Sequence, residues 1–185
     1  MTIHEDVIER IISTTMELIQ ESDGNIKRVT TRKIAERANV AVGAINYYFR
    51  SKDRLIEIGL QRMLEKQKEV TSPSSRTGDT RKDLIVFSQQ FADRLFGHAA
   101  ISEIAILEDM KSPKTTDNTA KSIDEFLTFT AVEAMEDGRI FALVTTIQAA
   151  FLRRNQSKRE TGVDLLEKEQ RDLFVEEIVT ALFSE

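Results

Sequence analysis

The chain contains no cysteine. That excludes a disulfide framework, a thiolate zinc site and a cysteine nucleophile. Histidine is almost as scarce, with only His4 and His98, far apart in sequence. A multi-histidine metal cluster within one chain is therefore excluded, and neither histidine has the glutamate three residues before it that a di-iron helical bundle needs. No G-x-S-x-G elbow, phosphate-binding P-loop or G-x-G-x-x-G run occurs. The expectation is a protein that is not an enzyme and carries no metal or cofactor. Loop-forming residues are also few, with 7 Gly and 2 Pro in 185 residues, which favours an ordered, helical chain. No apolar run approaches the about 18 residues of a membrane span. Met1–Asp6 has no basic stretch followed by an apolar one, so no secretory signal is expected and the chain reads as cytoplasmic.

What is present is charge, unevenly placed. The hydrophobic fraction of 41% suffices for a core, and 31% of the residues are charged, with a net charge of −5. Taken alone, that net charge argues against a nucleic-acid partner. Residues 1–25 hold one base, Arg10, and six acids, for a net −5. Residues 26–52 hold Lys27, Arg28, Arg32, Lys33, Arg37, Arg50 and Lys52 against Glu36 alone, a net +6. A basic block inside an acidic chain supplies the local field that phosphate attraction requires, although a solvated charge run would look the same.

The hydrophobic spacing is helical throughout. Thr2 and Glu5 have capping-box spacing, and Val7, Ile8, Ile11, Ile12, Thr15, Met16 and Ile19 form a stripe ended by Asp23-Gly24. Two short helices follow, Arg32–Ala38 capped by Thr31 and about Val42–Phe49, with Asn39 as the break. Ser51 caps a helix running to about Val70, and Thr71–Asp79 is a loop. Further helices are expected over Asp83–Phe96 with Gly97 as C-cap, Ile101–Met110, Asp117–Met135 ending at Asp137-Gly138, and Ile140–Arg153. Asn155–Gly162 reads as loop, and Asp164 with Glu167 starts the last helix. No strand-like alternation appears. The fold class is all-α.

Thr31–Tyr48 is the informative stretch. Two short helices joined by a turn of about three or four residues make a helix-turn-helix when a few positions are right. Ile34 and the small Ala35 let the second helix cross the first closely. Asn39 tolerates the positive φ of the turn. Ala38, Val40, Ile45 and Tyr48 point into a small core.

The run TTRKIAERANVAVGAINYYFRSKDRL, Thr30 to Leu55, resembles the DNA-binding domain of the TetR family of bacterial transcriptional regulators. It includes that family's aromatic-Phe-x-x-Lys-x-x-Leu ending, here Tyr48-Phe49-Arg50-Ser51-Lys52-Asp53-Arg54-Leu55, preceded by one long amphipathic helix. The specific likeness covers about residues 5–60; beyond it only helix number and length agree. The resemblance implies that Thr31 and Arg32 meet phosphate or a base edge at the start of the first motif helix. It implies that Val42–Tyr47 form the recognition helix in the major groove, with Val42, Gly43, Ala44 and Asn46 facing the bases. Tyr47 and Lys52 become phosphate contacts. The chain departs from the family at Asn39, Ala41, Ala44 and Asn46, where Gly, Ser, Thr and Tyr are frequent. Ala41 removes the usual N-cap of the recognition helix, a cost of about 1 kcal/mol. Direct readout then rests on Asn46, suited to adenine, with methyl contacts from Val42 or Ala44 and a contribution from DNA shape.

The resemblance further implies a division into a DNA-binding domain, residues 1–52, and a ligand-binding and dimerisation domain, residues 53–185. The last two long helices would pair with those of a second copy, through Phe141, Val144, Ile147 and Phe151 on one and Leu173, Phe174, Ile178 and Leu182 on the other. The middle helices would enclose an apolar effector pocket. Its expected lining is Phe87, Phe91 and Leu95, then Ile104, Leu107 and Met110, then Phe126 and Phe129, with His98, Gln90 and Glu103 as the nearest polar groups. Periodicity alone does not separate these positions from plain core. Two functions remain open. One is a dimeric regulator, a repressor that binds a near-palindromic operator and is released by a small, mainly apolar effector. The other is a helical interaction module whose helix-turn-helix makes protein contacts.

Overall fold

The stripe of the first helix closes a small core. In the computed structural model, which describes residues 3–22, 25–69, 78–130 and 137–184, α1 (Ile3–Gln20) buries Ile11, Ile12, Thr15 and Ile19. A 3-10 turn, Ile26–Arg28, leads through buried Val29 into α2 (Thr31–Arg37) and α3 (Val42–Phe49). α4 (Lys52–Glu69) then lies along α1. Gly59 packs closely against α1, where an added Cβ would stand 3.3 Å from Ile19 Cδ1. The Arg62 guanidinium donates to both carboxylate oxygens of Glu9, at 2.7 Å for the Nη2–Oε1 bond, and ties the two helices at their exposed edge.

The rest of the chain forms a second helical unit. It comprises α5 (Thr80–Gly97), α6 (Ala99–Lys111), α7 (Asn118–Thr130), α8 (Asp137–Leu152), α9 (Ser157–Thr161) and α10 (Lys168–Leu182). Its core is aromatic at one end: Phe126 is fully buried with Phe87 and Phe91 edge-on to it at 4.6 and 5.4 Å between centroids. Such edge-to-face geometry places positive ring edges on negative ring faces. Ile140, Leu143, Val144, Ile147 and Phe151 of α8 and Val175 and Val179 of α10 complete it.

The two cores meet at α4 and α6. The first cluster continues past residue 52 through Leu55, Ile56, Leu60 and Met63, and it includes Ile104 of α6. Ile106, two residues on, belongs to the second cluster. No strand occurs among the described residues, in keeping with the all-α expectation.

Several boundaries differ from the sequence expectation, each for a local reason. The cap of α2 is Thr30 rather than Thr31: the Thr30 hydroxyl accepts from the Lys33 amide at 3.3 Å, and Thr31 is already helical. Gly97 does not cap α5; it is the helix's last residue, and His98 joins α5 to α6. Asp137-Gly138 opens α8 instead of ending α7. The polar Asn155–Gly162 segment holds a helical turn, α9, closed by Gly162 at φ 82. Asp164 lies in a turn and α10 begins at Lys168. Thr2 with the capping box, Asp23-Gly24, most of the 71–79 loop and the end of α7 near Met135 lie outside the described residues.

Candidate functional site

α2 and α3 meet across a turn with the expected backbone. Asn39 adopts φ 52, a conformation that costs Asn less than most side chains. The Val40 amide donates to the Ala35 carbonyl at 2.9 Å and closes the turn. Ile34, Ala35, Ala38 and Ile45 are buried beneath it. Arg10 on α1 donates through Nε to the Ala38 carbonyl at 2.9 Å, so the turn is also held from behind.

The opposite face of α3 is free. Val42, Gly43, Asn46 and Tyr47 are exposed, Ala44 half-buried, and Tyr47 reaches 78% exposure. Its ring packs edge-on against Tyr48 at 5.0 Å, which orients it without covering it. Nothing lies within 4 Å of a Cβ added at Gly43, so this position leaves open space rather than filling a packing need. Ala41 occupies the N-cap position of α3 with extended backbone and makes no side-chain cap. At the other end, Arg50 takes φ 66, ψ −39, and the Ser51 hydroxyl accepts from the Arg54 amide at 3.1 Å to cap α4. Lys52 is thereby fixed in the first turn of α4, where the helix dipole adds positive potential.

The basic block divides into paired and unpaired cations. Arg37 is drawn to Glu21, just past the end of α1, at 2.6 Å, and Lys52 lies 3.9 Å from the adjacent Asp53. Lys27, Arg28, Arg32, Lys33 and Arg50 are exposed and make no ion pair among the described residues. Thr31 and Arg32 open α2 on the same helix-turn-helix unit. The geometry suits a long, narrow polyanion: one exposed helix face carrying an amide and a phenol, with unpaired cations at both flanks.

A cavity partly open to solvent lies among α4, α5, α6, α7 and α8. Of the expected lining residues, Phe91 and Leu95 border it. Phe87 and Phe126 are core instead, with Phe129 stacked on Phe87 at 4.2 Å, because three rings pack face and edge rather than leaving space. Ile104 faces the first core, and Leu107 and Met110 are exposed on the outer side of α6. The exposed lining is mainly apolar, but charged and polar side chains also contribute to it. Arg94, Glu125, Lys121, Glu65 and Gln148 join Leu64, Ala105 and Ile106. Polar positions that read as separate helix surfaces converge where five helices meet. Arg94 was legible in principle: it follows Phe87 by seven residues, on the inward stripe with Phe91 and Leu95. Of the expected polar groups, Glu103 is engaged by Arg154 at 2.7 Å, His98 sits at the α5–α6 junction, and Gln90 Oε1 is buried without a partner.

The residues expected at a dimer face fall into two sets. Val144, Ile147 and Phe151 are buried in the chain's own core, since α8 packs against α5, α7 and α10 along that stripe. Phe141 and Leu173 stand 56% and 62% exposed, with Phe174, Ile178 and Leu182 half-buried beside them.

Among the described residues no helix is long and apolar enough to cross a membrane. No curated protein matches the chain by sequence. A solved structure, a TetR-like transcriptional regulator from Rhodococcus sp. RHA1, is similar with a TM-score of 0.59 over 96% of each chain at 16% identity, a likeness of fold. The model of the bacterial regulatory proteins of the tetR family matches residues 11–57, which carry α1 to α3 and the start of α4. The helix-turn-helix of α2 and α3 thus lies within a segment that matches the tetR family of bacterial regulatory proteins.

Proposed function

We propose that this chain is a homodimeric repressor whose two recognition helices read the half-sites of a near-palindromic operator, and whose DNA affinity is set by a small molecule bound in the helical body. The observation that carries this reading is the free face of α3, flanked by cations that have no acidic partner among the described residues. Asn46 supplies base readout and Tyr47, Lys52, Thr31 and Arg32 hold phosphate. Val42, Gly43 and Ala44 let the helix backbone approach the bases closely. The DNA-binding unit, residues 1–52, and the ligand-binding and dimerisation unit, residues 53–185, share α4. Lys52 begins that helix, while Gln61, Leu64 and Glu65 on it form part of the cavity wall.

One recognition helix makes too few contacts for stable, specific binding, so two copies are required. Phe141 of α8 and Leu173 of α10 are large apolar side chains without cover, and an isologous pairing through these helices hides both at once. The effector reading rests on the cavity, whose mainly apolar lining carries charged groups as well and so suits an amphipathic ligand. A ligand moves the DNA equilibrium only by its differential affinity for the two conformations, and contacts to α4 are where such a difference arises. The family match favours this reading over a helical interaction module whose helix-turn-helix makes protein contacts.

Footprinting on the DNA flanking the chain's own gene tests this reading. The expected result is a protected near-palindrome of two half-sites, occupied by two chains in sedimentation analysis. Absence of protection on that DNA, or occupancy by one chain, contradicts it.

A further inference from the structure

We propose that the cavity among α4, α5, α6, α7 and α8 takes a small amphipathic carboxylate, its carboxyl group bound by Arg94 and Ser102 and its apolar part by Phe91, Leu95 and Ile106. The inference rests on the effector reading above and names the chemical class of that effector.

Two polar groups in the cavity wall are incompletely satisfied: Arg94 by a long ion pair alone, Ser102 by no hydrogen bond. The Arg94 side chain is only 13% exposed, and its guanidinium stands 3.8 Å from the Glu125 carboxylate, beyond hydrogen-bond distance. Its other close neighbours are the rings of Phe91 at 5.6 Å and Phe87 at 5.9 Å. It makes no hydrogen bond among the described residues. Ser102 is 1% exposed and its hydroxyl has no partner. Other buried helix hydroxyls here are satisfied by the preceding turn: Ser88 donates to the Leu84 carbonyl and Thr15 to the Ile11 carbonyl, both at 2.7 Å. Ser102 is not, and it faces the same cavity as Arg94. A largely buried charge held only by a long ion pair and a buried hydroxyl without a partner each carry a desolvation cost that a ligand can reduce.

The donors select the ligand. Burial lowers the Arg94 pKa by more than Glu125 raises it, so the nearby carboxylate leaves the guanidinium undercompensated. A carboxylate matches the planar guanidinium fork through two parallel hydrogen bonds. Glu125 and the Lys121–Glu65 pair, at 3.8 Å, also line the cavity, and their side chains are more exposed than that of Arg94. An amine would meet like charge at Arg94. A phosphate would bring close to two charges against one interior cation. The neighbouring wall of Leu64, Phe91, Leu95, Ala105 and Ile106 favours a hydrocarbon or aryl body. Such a ligand touches α4 and also α6, whose Ile104 is packed in the DNA-binding head.

Isothermal titration of the full chain with hexanoate, octanoate and phenylacetate, each beside its primary amide, tests the assignment. At least one acid is expected to bind saturably, with its amide about tenfold weaker or more. Arg94→Gln should erase that difference, and Ser102→Ala should weaken the acid while leaving the fold unchanged by circular dichroism. If Arg94→Gln does not fold, the acid–amide comparison on the native chain decides alone. Equal binding of acid and amide, retention of the preference in a folded Arg94→Gln, or saturable binding by none of the acids overturns the proposal. Repeating the titrations with operator DNA present separates the two readings. An amide that binds and shifts DNA affinity where no acid does leaves the effector reading standing and removes the carboxylate. An acid that binds through Arg94 without changing DNA affinity keeps the site and removes the effector reading.

Discussion

Arg10 Nε donates to the Ala38 carbonyl at 2.9 Å, a bond between residues 28 positions apart that fastens α1 to the turn of the helix-turn-helix. Ala38 is fully buried and its carbonyl ends α2, so this donor satisfies a backbone group that the helix itself cannot. Arg10→Met keeps the side chain's apolar bulk and removes the donor. It should cost about 1–2 kcal/mol, measured by urea denaturation, and should weaken DNA binding although Arg10 lies on the helix behind the motif. Unchanged stability would show that water replaces the donor.

The two faces of α3 separate stability from recognition. Ile45→Ala empties a fully buried site and should cost about 2–5 kcal/mol. Tyr47→Ala and Asn46→Ala act on the exposed face and should leave stability within about 0.5 kcal/mol while lowering operator affinity. Thermal melts and anisotropy titrations on the same three variants check both halves.

The ends of α3 offer two gains in stability with different functional results. Ala41 has the extended backbone of an N-cap and no capping oxygen, so Ala41→Ser should add about 1 kcal/mol. Arg50 holds φ 66, strained for any side chain, and Arg50→Gly should relieve about 1 kcal/mol. The glycine variant, however, removes an unpaired cation beside the recognition helix. It should therefore melt higher and bind DNA more weakly.

Asp93 couples body stability to acid. Burial pushes its carboxyl pKa up, but Lys168 at 2.7 Å and Arg171 at 2.9 Å outweigh that and hold it below the ordinary carboxylate value. A lowered folded-state pKa gives stability that is present above the unfolded value near about 3.9 and is lost as pH falls through the folded value. Asp93→Asn should lose about 1–2 kcal/mol at neutral pH, the smaller end being set by the solvent exposure of Asp93, and should show a flatter acid limb. Asp109 runs the other way. Burial, with Asp117 nearby, raises its pKa despite hydrogen bonds from Thr119 and Asn118. Its titration by carboxylate NMR should fall above that of Asp93.

The DNA-binding motif was legible because its constraints are local. Ile34, Ala35, Asn39 and Ile45 each answer to a backbone or packing need within one short stretch, and each stands where the spacing puts it. The cap of α2 was misplaced by one residue because Thr30 and Thr31 are both able to cap, and only the backbone decides. The body was less legible for a different reason. Val144 and Phe141 both lie on α8 and are both apolar, yet one is core and the other exposed, and helical period alone carries no information about which neighbour a face meets. The charged cavity wall arises from five helices, so no single stripe reveals it.

The salt dependence of operator binding tests the central claim most directly. For the native chain, the logarithm of the association constant should fall linearly and steeply with the logarithm of salt concentration, because Lys and Arg displace counterions from phosphate. Lys52→Ala and Arg32→Ala should each lower affinity and reduce the slope by about one. A salt-independent affinity, or slopes unchanged in both variants, would contradict a DNA-binding role for this face.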